Sequence, residues 1–183
     1  ERSNTLCTCL SLMFTRDYPG VILHPVAQGI TLLDEKNGKA MVKVGAGVEW
    51  DDFVAWAVDH GYGGIENLSL IPGYVGAAPV QNIGAYGAEA KDTIREVEFY
   101  SPEKDQIEVL SAEACAFGYR DSIFKRELRG RAIILSVTFA LDLVPVFRLG
   151  YGDLKAKVEE AGGPTLHTVR DAVVAIRRSK LPD

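Results

Sequence analysis

The chain has 183 residues, of which 47% are hydrophobic and 25% are charged, a balance typical of a soluble globular protein. Its net charge of −5 argues against a nucleic-acid-binding surface, and no apolar run is long enough to cross a bilayer. Three cysteines are too few for a disulfide framework, and Cys7 and Cys9 lack a further Cys/His pair at metal spacing. We therefore expect a cytoplasmic protein without a metal, and without a nucleic-acid or membrane partner.

The first part of the chain predicts short strands and a hairpin. Residues 21–23, 30–33 and 39–44 are rich in β-branched and aliphatic side chains, as strands are. Asn37-Gly38 lies between the last two segments and is a strong signal for a tight hairpin turn.

A helix is predicted from about residue 50. Apolar residues recur there at helical spacing, and Gly61 follows where a helix would stop. We interpret this stripe as a face that packs into the core, formed by Trp50, Phe53, Val54, Ala57 and Val58. On this interpretation, Trp50 and Trp56 pack the helix and do not stack on a ligand ring.

The second half of the chain predicts further strands and helices. Strands are expected at residues 94–100, 106–110 and 132–141, and helices at residues 111–115 and 154–161. A last helix is predicted with Thr168 and Asp171 as its capping pair, and with an apolar face of Val169, Ala172, Val173 and Ile176. Hairpins mixed with helices indicate an α+β fold and not a doubly wound parallel sheet.

A glycine-rich segment, residues 71–87, is the most informative part of the sequence. It contains four glycines and two prolines in a mostly apolar run, a composition that neither a helix nor a strand tolerates in its interior. Backbone amides in such an ordered, irregular segment can donate hydrogen bonds to phosphates or to ring heteroatoms. The alternative is a loop that is tight only for packing.

Four blocks, taken in order, identify a family resemblance. They are the glycine-rich segment, Gly118-Tyr119-Arg120-Asp121-Ser122-Ile123-Phe124-Lys125, Tyr151-Gly152-Asp153-Leu154, and Arg177-Arg178-Ser179-Lys180-Leu181-Pro182-Asp183. Over residues 14–183 the chain resembles the FAD-dependent UDP-N-acetylenolpyruvoylglucosamine reductases of peptidoglycan synthesis. The resemblance implies an α+β FAD-binding domain of the PCMH/vanillyl-alcohol-oxidase-like type, which is a mixed sheet with flanking helices.

The same resemblance implies a chain that is incomplete at both ends. Residues 1–28 would be a remnant of the first FAD-binding subdomain, residues 29–165 the second subdomain, and residues 166–183 the start of a substrate-binding domain. Arg2 stands where the family's phosphate turn has a glycine, and the family's serine proton donor lies beyond Asp183. We therefore expect that the chain by itself does not turn over substrate, because loss of a proton donor typically costs about 10² to 10⁴-fold in rate.

The resemblance also assigns cofactor contacts. It places two stretches of the glycine-rich segment against FAD, with contacts from Ile71, Pro72, Gly73, Gly76, Gln81, Asn82, Ile83 and Gly84. Ser3 and Asn4 are expected at the diphosphate. The side-chain amides of Gln81 and Asn82 are candidates for the isoalloxazine edge, and the alternative for both is to cap the local backbone.

In the reaction that the resemblance implies, NADPH reduces the flavin, which then reduces an enolpyruvyl ether. Arg120 is the predicted catalytic residue, since a guanidinium can bind the substrate carboxylate with two parallel hydrogen bonds. The alternative is a structural salt bridge from Arg120 to Asp121 or to another acid. Tyr119, Tyr151 and Lys180 are the predicted contacts with the nucleotide-sugar.

Two other interpretations of the whole chain stay open. The first is a catalytically inert flavin-binding remnant or interaction module. The second is a different flavoprotein oxidase with the same FAD-binding architecture, although such an oxidase would not need the carboxylate-binding set around Arg120 and Tyr151.

Overall fold

The structure, a computed structural model, describes residue 24 and residues 26–180. The predicted strand at residues 21–23 and the contacts assigned to Ser3 and Asn4 lie outside these residues, as does the end of the fourth block.

A five-stranded antiparallel sheet forms the centre of the described part. Its strands are β1 (Ile30–Lys36), β2 (Lys39–Gly45), β5 (Ile94–Ser101), β6 (Gln106–Ser111) and β7 (Ile133–Asp142), while β3 (Gly84–Ala85) and β4 (Ala88–Glu89) form a small separate pair. The order across the large sheet is β1-β2-β7-β5-β6. The long apolar strand expected at residues 132–141 is therefore confirmed as β7, between β2 and β5.

The predicted hairpin between β1 and β2 is confirmed. Lys36 pairs with Lys39, so Asn37 and Gly38 form a two-residue turn. Their φ angles are 52° and 75°, the left-handed values that this turn requires and that Asn and Gly adopt most easily.

The described residues contain three α-helices: α1 (Trp50–Asp59), α2 (Leu154–Glu160) and α3 (Leu166–Arg178). The apolar face predicted for α1 is buried, and so is the face predicted for α3. The two faces enter different clusters, since α1 packs on the sheet and α3 packs with α2. In the described part, no helix is both long and apolar enough to span a membrane.

Two predictions about local structure were wrong. Residues 112–116 form turns that continue from β6, and the helix expected at 111–115 is absent. The cap of α3 lies one turn earlier than predicted, because the Thr165 hydroxyl accepts from the Thr168 amide at 3.1 Å. Thr168 closes the capping box by accepting from the Thr165 amide at 2.8 Å, and α3 therefore begins at Leu166.

The glycine-rich segment is largely irregular, as predicted, and its residues 73–76 lie beside the chain that enters α1. The Trp50 amide donates to the Gly73 carbonyl at 2.9 Å, and the buried indole N–H of Trp50 donates to Leu68. The Gly76 amide donates to the Ala46 carbonyl at 3.0 Å. These bonds attach the segment to α1 and to the chain that leaves β2.

Glu66 is a buried acid at the start of the short 3₁₀ turn Glu66–Leu68, and only 2% of its surface is exposed. One of its carboxylate oxygens accepts from the Gly64 amide at 2.6 Å. Burial raises the pKa of Glu66 above its ordinary value of 4.5, and the nearby Asp142 carboxylate raises it further. Hydrogen bonds from the backbone and the charge of Arg148 act in the opposite direction but do not cancel the shift.

Glu66→Gln is expected to gain stability relative to the parent protein as the pH rises. The folded state keeps the Glu66 proton above pH 4.5, where the unfolded state has lost it, so the parent loses stability until the pH exceeds the raised pKa. Glutamine does not titrate and still offers an oxygen to Gly64. Urea unfolding of both proteins from about pH 4 to about pH 8 measures the difference.

The matched control is Glu160→Gln, at the exposed C-terminal end of α2. This variant makes the same chemical change at a solvated position, so it shows what the change from Glu to Gln does without burial. A Glu66→Gln difference that does not vary with pH would contradict a raised pKa for Glu66.

Candidate functional site

A cavity of about 230 Å³ lies where the glycine-rich segment meets the Arg120 block and α3. It is lined by Ile71, Gln81, Ile83, Gly84, Arg120 and Arg177. All of these except Arg177 were predicted to take part in the site. The structure thus brings Arg120 together with four of the predicted cofactor contacts.

The Arg120 side chain is held against the glycine-rich segment. Its Nη2 donates to the Gly84 carbonyl at 2.5 Å, and its Nη1 donates to the Asn82 carbonyl at 3.4 Å. The alternative partner Asp121 instead forms an ion pair with Arg126. Within the described residues, Arg120 makes no ion pair.

Gly84 lets this arginine approach the backbone. A Cβ atom at this position would lie 3.0 Å from the Arg120 Nη1 atom and 3.0 Å from the Ala88 carbonyl oxygen. Both distances are tighter than ordinary contacts, so a side chain would push the guanidinium away from the cavity wall.

Asn82 corrects one detail of the sequence interpretation. Its side chain is fully buried: Nδ2 donates to the Gly118 carbonyl, and Oδ1 accepts from the Lys91 amide, each at 2.9 Å. Both ends of the amide therefore bond to backbone, as in the capping alternative, and do not point to a ligand ring. The bond to Gly118 joins the glycine-rich segment to the block that carries Arg120.

Pro72, Gly73 and Gly76 do not line the cavity. The Gly73 carbonyl is used by α1, and a Cβ at Gly76 would lie 2.7 Å from the Ala46 Cβ. Gly76 is therefore required by packing, whatever it contacts in a complex. The predicted contacts of these three residues with FAD stay predictions.

The predicted substrate contacts lie outside the cavity lining. Tyr119 is 83% exposed, and the Arg120 Cζ atom lies 5.6 Å from its ring centroid. Tyr151 is 58% exposed, with its ring edge-to-face on Tyr86 at 5.6 Å. Lys180 is exposed just beyond α3, and its amide donates to the Arg177 carbonyl at 3.0 Å.

Arg177 was not predicted as a site residue, although it opens the fourth sequence block. It lies in the last turn of α3, next to the buried Ile176, and its Nε donates to the Leu70 carbonyl at 3.1 Å. Two guanidinium groups therefore line one cavity, an arrangement suited to an anionic ligand. The described residues contain no cluster of three His, Cys, Asp or Glu side chains that could hold a metal ion.

Residues 12–109 match the model of a family described as an FAD binding domain, and the chain belongs to this family of flavin-binding proteins. The chain is also 48% identical over 176 residues to the UDP-N-acetylenolpyruvoylglucosamine reductase of Neisseria meningitidis serogroup A. It is 48% identical over 180 residues to the reductase of Burkholderia lata. Each match covers 94% of this chain and 51% of the relative, so the chain spans about half the length of these curated relatives.

A solved structure shares the fold. The crystal structure of UDP-N-acetylenolpyruvylglucosamine reductase from Thermus caldophilus matches with a TM-score of 0.54 and 23% identity. The match covers 77% of this chain and 44% of that chain. The α+β FAD-binding fold expected from the sequence is confirmed by this likeness and by the family match.

The residues of the cavity fit a flavin cofactor. Ile71 and Ile83 offer apolar surface to a ring, while Arg120 and Arg177 offer cations to its polar edge or to phosphates. The absence of a side chain at Gly84 brings backbone to the same surface. Because binding sites for whole small ligands are usually about 300 to 1,000 Å³, this cavity is sized for part of FAD.

Proposed function

We propose that the protein carrying this chain is an FAD-dependent oxidoreductase. It reduces UDP-N-acetylenolpyruvoylglucosamine to UDP-N-acetylmuramate with NADPH, a step in the synthesis of peptidoglycan precursors. The observation that carries the proposal is the position of Arg120, which lies in one cavity with Gln81, Ile83 and Gly84 and has no acidic partner in the described residues. The relatives named as this reductase support the same activity.

FAD, when bound, supplies the hydride-transfer chemistry. Arg120 binds the carboxylate of the enolpyruvyl group and stabilises the negative charge that develops toward it. The bonds to the Gly84 and Asn82 carbonyls orient this guanidinium before a ligand arrives, so little reorganisation is needed during the reaction. Arg177 adds a second cation to the same wall.

The nucleotide-sugar contacts follow from the positions of the exposed side chains. Tyr119 lies beside Arg120 and orients the substrate, while Tyr151 contacts the sugar nucleotide through its hydroxyl. Lys180, beyond the C-terminal end of α3, attracts the nucleotide phosphates. Substrate and cofactor are small molecules, and we propose that the protein acts in the cytoplasm without a nucleic-acid or membrane partner.

The cofactor is held mainly by residues 71–84, with Ser3 and Asn4 at its diphosphate. In this proposal residues 1–28 belong to the first FAD-binding subdomain and residues 29–165 form the second. Residues 166–183 open the substrate-binding domain. Asn82 holds the Arg120 block in place through its bond to Gly118, and its contact with the flavin is made by its backbone.

The test uses the protein in its full length. Titration with FAD, followed by the quenching of flavin fluorescence, measures cofactor binding. NADPH and the enolpyruvyl nucleotide-sugar are then added, and mass spectrometry looks for the lactyl ether product. FAD binding with product formation supports the proposal, binding without product favours an inert flavin-binding module, and absence of FAD binding overturns both.

A further inference from the structure

An ion pair between α1 and α3 lies close to the cavity but contributes no atom to its lining. Arg170 of α3 donates from both Nη atoms to the two carboxylate oxygens of Asp51, at 2.8 and 2.9 Å. The Arg170 side chain is only 18% exposed, and the Asp51 side chain only 29%. A two-point arginine–carboxylate pair of this kind fixes orientation as well as distance.

The same carboxylate also holds the chain that leads into the glycine-rich segment. Oδ1 of Asp51 accepts from the Leu70 amide at 2.5 Å. Leu70 has a φ of 57°, a left-handed conformation that leucine adopts only when its surroundings impose it. The next residue, Ile71, lines the cavity.

The carbonyl of Leu70 is held from the other side by Arg177, whose Nε donates to it at 3.1 Å. Arg170 and Arg177 are seven residues apart, or about two helical turns, and so lie on the same face of α3. Asp51 thus binds one of these arginines directly and is linked to the other through Leu70. In the described residues, one hydrogen bond, to the Leu70 carbonyl, holds the Nε of Arg177, and Arg177 lines the cavity.

The charge of Asp51 persists in this setting. Burial acts to raise its pKa, but the hydrogen bonds from Arg170 and Leu70 and the charges of Arg170 and Arg177 outweigh burial and hold the pKa below its usual value. The carboxylate is therefore ionised at neutral pH and attracts both arginines.

We propose that Asp51 is a positioning residue that sets the place of the Arg177 guanidinium in the cavity. It does so by fixing Leu70, whose carbonyl orients Arg177, and by anchoring Arg170 on the same helix face. The inference rests on the proposed function, since the position of Arg177 matters only if the cavity holds the flavin or its substrate.

A double-mutant cycle on the full-length protein tests this role. The variants are Asp51→Asn, Arg177→Ala and their combination, with Asp52→Asn, an exposed acid of the same helix turn, as the matched control. Asparagine keeps an acceptor for the Leu70 amide but loses the charge and the two-point pair. The readouts are the FAD dissociation constant, kcat and KM, with thermal unfolding as a measure of stability.

Asp51→Asn is expected to weaken FAD binding or to lower kcat/KM by about 10-fold, because small displacements of binding groups have effects of this size or larger. In the Arg177→Ala background the same substitution should have almost no further effect on these readouts. Asp52→Asn should behave as the parent. If Asp51→Asn does not fold, Arg170→Lys, which keeps the charge but loses the planar pair, replaces it in the same cycle.

Two results would overturn the proposal in distinguishable ways. Equal effects of Asp51→Asn on FAD affinity and kcat/KM with and without Arg177 would show that Asp51 does not act through Arg177, and the proposed function would stand. If Arg177→Ala leaves FAD affinity and turnover unchanged, Arg177 does not help the cavity to hold flavin or substrate. Asp51 then has no functional group to position.

Discussion

Replacing Arg120 by lysine is expected to slow reduction of the enolpyruvyl substrate by about 10² to 10³-fold, the usual effect of losing one donor to a developing negative charge. Lysine keeps the charge but cannot reproduce the planar grip on a carboxylate, nor the paired bonds to the Gly84 and Asn82 carbonyls. The half-reaction that consumes NADPH should keep its rate, because it involves no enolpyruvyl carboxylate. Stopped-flow absorbance of the flavin measures the two half-reactions separately.

Arg129→Lys is the matched control for this prediction. Arg129 is exposed on the turn that follows the Arg120 block, away from the cavity lining. Its replacement should leave both half-reactions unchanged. An equal loss in the two half-reactions of Arg120→Lys would instead indicate a structural role for Arg120.

Gly76→Ala is expected to destabilise the fold by about 1 to 3 kcal/mol, the usual cost of overpacking a core. A methyl group at Gly76 would lie 2.7 Å from the Ala46 Cβ and 3.1 Å from the Ala46 carbonyl oxygen. That carbonyl accepts the Gly76 amide, so the segment cannot move away without loss of this bond. Urea unfolding in the absence of FAD measures the change in the free energy of unfolding.

The control here is Gly150→Ala, where a Cβ would meet no atom within 4 Å. Its stability should stay within about 0.5 kcal/mol of the parent, as for most surface substitutions. A Gly76→Ala protein as stable as the parent would show that packing against Ala46 does not require glycine.

Elements that depend on short-range chemistry were predictable from the sequence. Asn37-Gly38 forces its hairpin because few other residues accept two successive left-handed conformations. The helical spacing of Trp50, Phe53 and Ala57 identifies the buried face of α1, since burial of one side imposes that period.

Local propensity was misleading where the surrounding structure determines the backbone. The run Ser-Ala-Glu-Ala before Cys115 favours a helix by composition, yet Ser111 ends β6 and the residues after it form turns. Cys115 is fully buried in the main core and Ala116 adopts a φ of 47°, which ends any helical turn at this point. At Thr165, by contrast, a local signal was present and was assigned one turn too late.

The residues of the site also differ in how far the sequence could predict them. The glycine-rich segment and the Arg120 block could be recognised because each is continuous in sequence, and five of the six residues that line the cavity come from them. The direction of the Asn82 side chain could not be predicted, because it depends on hydrogen bonds to the backbone of Lys91, 9 positions away, and of Gly118, 36 positions away.

The sequence by itself determined the fold class, the family and the two segments that meet at the cavity. Only the tertiary structure decided that Arg177 completes this cavity and that Asp51 holds the chain beside it. The bond from Arg177 to Leu70 spans 107 positions, and the pair from Arg170 to Asp51 spans 119. Pairings at such separations leave no periodic or local trace, because they arise only when α3 folds back against α1.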